Sequence, residues 1–147
     1  MKLVIQRVKN AQVIADGELS GSIGPGLLVL VGIHKDDVPE NTQWFVNKLV
    51  NLRIFTDEGG KLNRCVKDIT GEILIVSQFT LYANCMNGRR PDFIEAATGD
   101  LAINIYSKFV REVESEMGRV QTGRFGAYME VSLCNDGPIT IVLEGKP

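Results

Sequence analysis

The sequence predicts a single α+β domain, built mainly from antiparallel strands with two main helices. Short runs of apolar and β-branched residues alternate with tight turns over the first 33 positions, and two later segments place apolar residues at helical spacing. Strands joined by short turns favour antiparallel, barrel-like sheets, and the sequence contains no Gly-x-Gly-x-x-Gly dinucleotide motif. At 147 residues the chain is expected to form one domain, residues 1–147.

The amino-terminal third predicts four strands in succession. Asp16-Gly17 is typical of a tight hairpin turn, and Gly24-Pro25-Gly26 interrupts the chain before a continuous apolar run. Such a run is typical of a strand covered on both faces, and it is too short for a membrane helix, which needs about 20 residues. The predicted strands are residues 2–8, 11–15, 18–23 and 27–33.

Two helices are predicted further along the chain. Asp36 and Asp37 are candidate caps of the first, entered at Val38-Pro39, and Thr98 is the candidate cap of the second. Each helix presents an apolar stripe, namely Phe45, Leu49 and Leu52 in the first and Leu101, Ile105 and Phe109 in the second. Extended structure is predicted at 53–55, at 72–82, at 127–133 and, after a turn at 135–138, at 139–143.

Composition restricts the classes of function. A net charge of −2 disfavours a protein that coats nucleic acid through bulk positive potential, so a nucleic-acid substrate would be held locally. The three cysteines lie far apart and His34 is the single histidine, which disfavours a four-ligand zinc site. We therefore expect no metal and no cofactor. The amino-terminal segment meets charge too early for a secretory signal, so a cytoplasmic location with no membrane partner is expected.

One polar segment, residues 77–82, follows the apolar strand that starts at residue 72. Thr80 is a poor nucleophile unless a base takes its proton, and His34 lies far away in the sequence. The residues alone favour a structural role for Thr80. The segment offers hydrogen-bond donors, from Ser77, Gln78 and the backbone, that are suited to a developing oxyanion. Such a site suits an activated ester better than an amide.

A second segment, Asn135-Asp136-Gly137-Pro138, has good turn chemistry between two predicted strands. It carries no reactive side chain at Gly137 and Pro138. From the residues alone a simple turn is the favoured interpretation, and any functional role would have to come from backbone shape and carbonyl groups.

Several motifs follow one another along nearly the whole chain, from residues 3–8 to the last strand. They include residues 26–32, 52–55, 77–82, 88–91, 122–126 and 135–140. In these segments and their order the chain resembles the D-aminoacyl-tRNA deacylases, the D-tyrosyl-tRNA(Tyr) deacylase family.

The resemblance implies a homodimer that hydrolyses the ester joining a D-amino acid, or glycine, to the 3′-terminal adenosine of tRNA. The products are free tRNA and the amino acid, and water is the preferred nucleophile. Ser77, Gln78, Phe79 and Thr80 would form the catalytic centre, with the Phe79 and Thr80 amides as candidates for the oxyanion hole. Gly137 and Pro138, joined by a cis peptide, would enter the other subunit's pocket and exclude L-amino acids.

The same resemblance assigns supporting residues. Arg7 would orient the Gly-Pro segment, and Phe125 and Met129 would help to line the adenosine pocket. Arg89 and Arg90 are candidates for contact with tRNA phosphates, because the loop at 83–87 is less charged than the family's pattern. Two alternatives stay open: a deacylase of relaxed chirality with a trans Gly-Pro peptide, and a DNA- or RNA-binding module on the same scaffold.

Overall fold

A computed structural model describes residues 1–145, in which eight strands and two α-helices are formed. The strands are β1 (Lys2–Ala15), β2 (Glu18–Ile23), β3 (Gly26–Gly32), β4 (Phe55–Thr56), β5 (Leu62–Arg64), β6 (Glu72–Ser77), β7 (Gln121–Thr122) and β8 (Met129–Glu144). The helices are α1 (Thr42–Val50) and α2 (Gly99–Met117), and short 3₁₀ turns cover Pro39–Asn41 and Phe79–Tyr82.

One mixed six-stranded sheet organises the domain, with the order β2-β1-β3-β6-β7 and β8 paired to β1. The long strand β1 pairs with β3 through residues 2–8 and with β2 through residues 11–15, while β8 runs antiparallel to nearly its whole length. The pairs β3·β6 and β6·β7 are parallel. Parallel pairing of β3 with β6 is possible because the chain between them is long enough to cross over, and it includes α1. The α+β prediction is confirmed.

The main core lies between the two helices and one face of the sheet. Phe45 and Leu49 of α1 and Ile105 and Phe109 of α2 are fully buried there, as predicted. The other two members of the predicted stripes differ, because Leu101 is 38% exposed in the first turn of α2 and Leu52 lies beyond the end of α1. Leu28, Leu74 and Val76 belong to a smaller cluster on the opposite face. Strand β3 is thus covered on both faces, because Leu27 and Val29 point into the main core while Leu28 points into the other cluster. Each such side chain contributes about 1.5–3 kcal/mol when fully buried.

Several predicted boundaries are wrong. The predicted strands 2–8 and 11–15 form one strand, β1, because β8 pairs across the polar residues between them with a register shift. The chain does not reverse at 135–138, since 129–144 forms the single strand β8. Strand β6 ends at Ser77, five residues earlier than predicted, and the next residues form a 3₁₀ turn.

The caps of the helices also differ from the prediction. Helix α1 starts at Thr42, and Asp37 instead accepts hydrogen bonds from the Met1 ammonium at 2.6 Å and from the His34 amide at 2.6 Å. Thr98 does stand at the N-cap of α2, although its side chain makes no capping hydrogen bond. Among residues 1–145, no helix has the length and apolar composition needed to cross a membrane.

Candidate active site

A cavity of about 550 Å³ opens where β6 ends. Its walls come from the ends of β3 and β6, the start of α2, the segment after β7 and the start of β8. No Asp, Glu, His or Lys is among the described residues that line it. The lining residues are Val31, Ile33, Val76, Ser77, Gln78, Phe79, Phe93, Ala96, Ala97, Thr98, Gly99, Ala102, Phe125, Gly126, Ala127, Tyr128, Met129 and Val131.

The 3₁₀ turn after β6 begins at this cavity, which Phe79 lines and Thr80 does not. The backbone N–H of Gln78 donates to the Val31 carbonyl at 2.8 Å and so extends the pairing of β6 with β3 by one residue. The first hydrogen bond within the turn is donated by the Leu81 N–H. Within the part of the chain that the structure describes, no hydrogen bond engages the N–H groups of Phe79 and Thr80. The first amides of a helical turn have no partner within it. These two donors are therefore available to an oxygen atom of a ligand.

The Thr80 hydroxyl is exposed and accepts a hydrogen bond from the side-chain amide of Gln78. A hydroxyl oxygen that already accepts a hydrogen bond is less available as a nucleophile, and no general base lines the cavity. This arrangement supports a donor or positioning role for Thr80.

His34 is occupied elsewhere. Its Nε2 lies 2.9 Å from Glu95 Oε2, and its Nδ1 accepts from the Asp36 amide at 3.1 Å. Hydrogen bonds from Lys35 and His34 to the Glu95 carboxylate hold the pKa of Glu95 below its usual value. This polar cluster lines a separate cavity, so the single histidine takes no part in the site next to Ser77.

Gly137 and Pro138 lie in the middle of β8, outside the cavity lining of their own chain, and both are exposed. Their peptide bond is cis. The β1–β8 register shifts here, so that residues 136–139 bulge opposite Arg7. Gly137 has φ +127°, and an added Cβ would lie 3.1 Å from Ile139 N and 3.3 Å from Arg7 Nη2. A side chain at position 137 would therefore be strained by the backbone conformation and crowded by Ile139 and Arg7.

Arg7 forms hydrogen bonds that hold this bulge in place. It is buried, and it donates from Nε to the Asp136 carbonyl at 3.0 Å and from Nη1 to the Ile54 carbonyl at 2.7 Å. Its Nε also lies 3.2 Å from the Asp136 carboxylate. The geometry is consistent with the predicted orienting role, which stays a prediction.

Phe125 and Met129 both line the cavity. Met129 also packs closely on Gly123, where an added Cβ would lie 2.6 Å from the Met129 sulfur. Arg89 and Arg90 are exposed in the loop after the turn and do not line the cavity.

One aromatic residue of the wall was not predicted. Phe93 lines the cavity, and its ring makes an edge contact with Phe79 at 5.0 Å between centroids. Tyr106, on the buried face of α2, does not line the cavity but contacts the lining residue Phe125, with the ring centroids 5.3 Å apart. No pattern in the sequence around Phe93 indicates its place in the wall.

The end of β6 combines two features. The backbone amides of Phe79 and Thr80 have no hydrogen-bond partner among the described residues, and the described lining of the adjoining apolar cavity contains no general base. Backbone donors of this kind are suited to an oxyanion that develops on an already reactive substrate.

Comparison with known proteins names the family. The model of the D-Tyr-tRNA(Tyr) deacylase family matches residues 4–144, and the chain belongs to this family of hydrolases. A D-aminoacyl-tRNA deacylase of Protochlamydia amoebophila (strain UWE25) is 60% identical over 144 residues, which cover 98% of this chain and 95% of the relative. The D-aminoacyl-tRNA deacylase of Thermosipho africanus (strain TCF52B) is 52% identical over 146 residues, covering 99% and 98%.

Solved structures share the fold. A protein described as c-Myc DNA Unwinding Element Binding Protein matches over 100% of both chains, with a TM-score of 0.92 and 41% identity. A probable eukaryotic D-amino acid tRNA deacylase matches over 97% of both chains with a TM-score of 0.84. Its identity is 18%, so this second likeness concerns the fold alone. The family predicted from the motifs is confirmed.

Proposed function

We propose that residues 1–147 act as one deacylase domain that hydrolyses the ester between a D-amino acid and the 3′-terminal adenosine of tRNA. Glycyl-tRNA is a second expected substrate, because glycine has no side chain to exclude. The observation that carries the proposal is that the backbone amides of Phe79 and Thr80 have no hydrogen-bond partner among the described residues, at the edge of an apolar cavity that Phe79 lines and whose described lining contains no general base. This activity would remove wrongly charged tRNA in the cytoplasm, where translation uses aminoacyl-tRNA.

The proposed reaction is attack of water on the ester carbonyl carbon. A bond forms from the water oxygen to carbon, the bond to the ribose 3′-oxygen breaks, and a proton passes from water to that oxygen. The neighbouring ribose 2′-hydroxyl is suited to assist this transfer, since the cavity lining supplies no base. The Phe79 and Thr80 amides hold the oxyanion, and loss of one such donor typically costs about 10²–10³-fold in rate.

Chirality is proposed to come from exclusion by the Gly137 and Pro138 carbonyls. A rigid backbone placed against the substrate Cα admits a hydrogen atom or a D side chain pointing away, whereas an L side chain collides with it. The carbonyls also accept hydrogen bonds from the substrate ammonium, which all aminoacyl esters share. Specific contacts with the side chain of the substrate would restrict the range of D-amino acids that the site accepts. The apolar cavity contains few polar groups that could make such contacts.

A homodimer is proposed because Gly137 and Pro138 are exposed and do not line the cavity of their own chain. In a two-fold dimer each subunit can insert its own segment into the partner's cavity. The exposed apolar side chains of Leu133 and Val142 on β8 give this strand an outer surface suited to a protein contact.

Phe125 and Met129 are proposed to contact the adenosine, since an aromatic face in the wall can stack on a base. Arg89 and Arg90 are proposed to reach phosphates of the acceptor end from their exposed loop. Each contact with a phosphate would make binding depend on salt.

Matched D- and L-aminoacyl esters of one tRNA test the function directly. We expect rapid release of the D-amino acid and an L-ester rate close to spontaneous hydrolysis. Equal hydrolysis of both esters would support the relaxed-chirality alternative.

Dimers formed from two different variants test whether the Gly137-Pro138 segment of one subunit enters the cavity of its partner. Ser77→Phe fills the cavity and Gly137→Val spoils the inserted segment, so each homodimer is expected to be inactive. If the site is shared, refolding the two together restores roughly a quarter of the sites, because half of the dimers are mixed and each has one intact site. No restoration in a confirmed mixed dimer would place both segments in one subunit's site.

The likeness to the protein described as c-Myc DNA Unwinding Element Binding Protein favours DNA binding as a second candidate. The net charge of −2 weighs against it. A tight, salt-sensitive DNA complex of a protein without deacylase activity would make this the better assignment.

A further inference from the structure

We infer that Tyr106 is a positioning residue that holds Phe125 in place to stack on the substrate base. The inference rests on the proposed function, in which Phe125 contacts the terminal adenosine. Tyr106 belongs to the buried face of α2 and is not among the residues that line the cavity. It therefore acts through Phe125.

The backbone that carries Phe125 is attached on both sides of Gly123. Strand β7 forms two pairs with β6, Leu74 with Gln121 and Ile75 with Thr122, and the Gly123 amide donates to the Ile75 carbonyl at 2.9 Å. Arg124 then forms ion pairs with Asp16 at 3.5 Å and with Glu18 at 3.3 Å. These contacts hold the backbone but not the exposed Phe125 ring, whose orientation depends on what it packs against.

Tyr106 supplies that support. Its ring lies 5.3 Å from the Phe125 ring, measured between centroids, with an interplanar angle of 48°. Its hydroxyl donates to the Ile75 carbonyl at 3.2 Å, the same oxygen that accepts from Gly123. Tyr106 thus connects α2, β6 and the segment after β7 at one point.

The hydroxyl remains a donor over a wide pH range. Burial raises the pKa of Tyr106 above its ordinary value. The hydrogen bond therefore holds Tyr106 in one orientation, and its tilted ring contact supports Phe125 where Phe125 lines the cavity.

Tyr106→Leu removes the supporting ring and is the informative substitution. Stacking of a base on an aromatic side chain is worth about 1–3 kcal/mol, which corresponds to ~5- to 150-fold in affinity, and a displaced Phe125 should lose part of it. We expect KM for D-aminoacyl-tRNA to rise ~5- to 20-fold with kcat within about threefold. Tyr106→Phe keeps the ring, and Gly123 still satisfies the Ile75 carbonyl, so its KM should stay within about threefold.

Phe109→Leu is the matched control, because Phe109 is a fully buried α2 residue of the same core that does not line the cavity. It should lose stability while its KM stays at the wild-type value. A KM rise in Tyr106→Phe as large as that in Tyr106→Leu would still support the positioning role and assign it to the hydroxyl. A Tyr106→Leu variant whose KM matches that of Phe109→Leu would overturn the inference.

Binding of adenosine monophosphate, followed by NMR titration of the same proteins, separates this inference from the proposed function. We expect the nucleotide to shift the Phe125 ring resonances of the wild type and to bind ~5- to 20-fold more weakly to Tyr106→Leu. Absence of such binding in the wild type, or equal binding by Tyr106→Leu and Phe109→Leu, would overturn the inference. Absence of D-ester hydrolysis by a wild type that binds the nucleotide would refute the proposed function alone.

Discussion

Replacing Arg7 by methionine is expected to loosen the Gly137-Pro138 segment and reduce the discrimination between D- and L-substrates. Methionine has a similar length but no donor. The change removes the hydrogen bonds from Nε to the Asp136 carbonyl and from Nη1 to the Ile54 carbonyl. Because Arg7 is only 8% exposed, water does not easily replace its guanidinium there.

The size of the effect follows from the Asp136 carbonyl, which is the one of the two acceptors that lies in the bulge. An unsatisfied buried acceptor costs about 1–3 kcal/mol, so the bulge should become less stable by about 1–3 kcal/mol. The ion pair with the Asp136 carboxylate adds little, since that side chain is 43% exposed. If L-esters react only when the segment moves aside, a loss of about 1–3 kcal/mol makes that state ~5- to 150-fold more populated.

The assay is the ratio of D- to L-ester hydrolysis by folded protein, together with the free energy of unfolding in urea. Arg53→Met is the matched control, because Arg53 is exposed and donates one hydrogen bond, to the Asn63 carbonyl at 2.9 Å. Arg7→Lys should recover only part of the ratio, since one ammonium cannot reproduce the guanidinium fork. A D/L ratio for Arg7→Met equal to that of Arg53→Met would refute the orienting role of Arg7.

Three further predictions concern the site and its surroundings. Thr80→Ala should keep D-ester hydrolysis within about tenfold of the wild type, because the proposed donors are backbone amides. Gly137→Ala should lower the D-ester rate and the free energy of unfolding, the latter by about 1–3 kcal/mol, since φ +127° and contacts near 3.1 Å oppose a side chain. Hydrogen bonds from Lys35 and His34 lower the pKa of Glu95 in the folded protein. The ionised carboxylate therefore stabilises the fold at pH values above the ordinary carboxyl pKa, and this stabilisation is lost as the pH falls through the lowered pKa. Glu95→Gln should therefore be less stable than the wild type at pH 7, with the difference disappearing in acid.

Each of these predictions has a contrary outcome. A loss of about 10⁴-fold in folded Thr80→Ala would indicate a nucleophilic or proton-transfer role. Wild-type activity and stability in Gly137→Ala would show that position 137 accepts a side chain. If the urea midpoint of Glu95→Gln differed from that of the wild type by the same amount at neutral and at acid pH, the proposed pH-dependent stabilisation by the Glu95 carboxylate would be contradicted.

Hydrophobic periodicity was sufficient to predict most core residues, because the pattern within one strand or helix indicates which of its faces is buried. The spacing of Phe45 and Leu49, and of Ile105 and Phe109, predicted faces that are fully buried, and the continuous run after Gly26 predicted a strand covered on both sides. The parallel pairing of β3 with β6 was not predicted. It depends on a crossover between segments far apart in sequence, for which periodicity carries no information.

Turn chemistry was a weaker guide around Gly137. Asn-Asp-Gly-Pro is compatible with a chain reversal, but pairing with the long strand β1 keeps residues 129–144 extended and confines the irregularity to a bulge opposite Arg7. A buried arginine hydrogen-bonded to a segment 129 positions away is a tertiary feature. No local pattern in the sequence indicates it.

The candidate site was only partly accessible from the residues themselves. The polar end of β6 and the lack of a base predicted a donor site, and the structure leaves the Phe79 and Thr80 amides free at that point. Roles for Gly137, Phe125 and Met129 came from the family resemblance, since none of them has chemistry that reveals a role in isolation. The support of Phe125 by Tyr106 required coordinates, because a tyrosine in an apolar helix stripe is indistinguishable from an ordinary core residue.

Hydrolysis of D- and L-aminoacyl esters of the same tRNA by the unmodified protein is the decisive measurement for the proposed chiral deacylase activity. We expect the D-ester to be hydrolysed at least ~10²-fold faster than the L-ester after subtraction of spontaneous hydrolysis, as a steric clash of about 3 kcal/mol would give. Equal hydrolysis of the two esters, or hydrolysis of neither, would contradict the proposed activity.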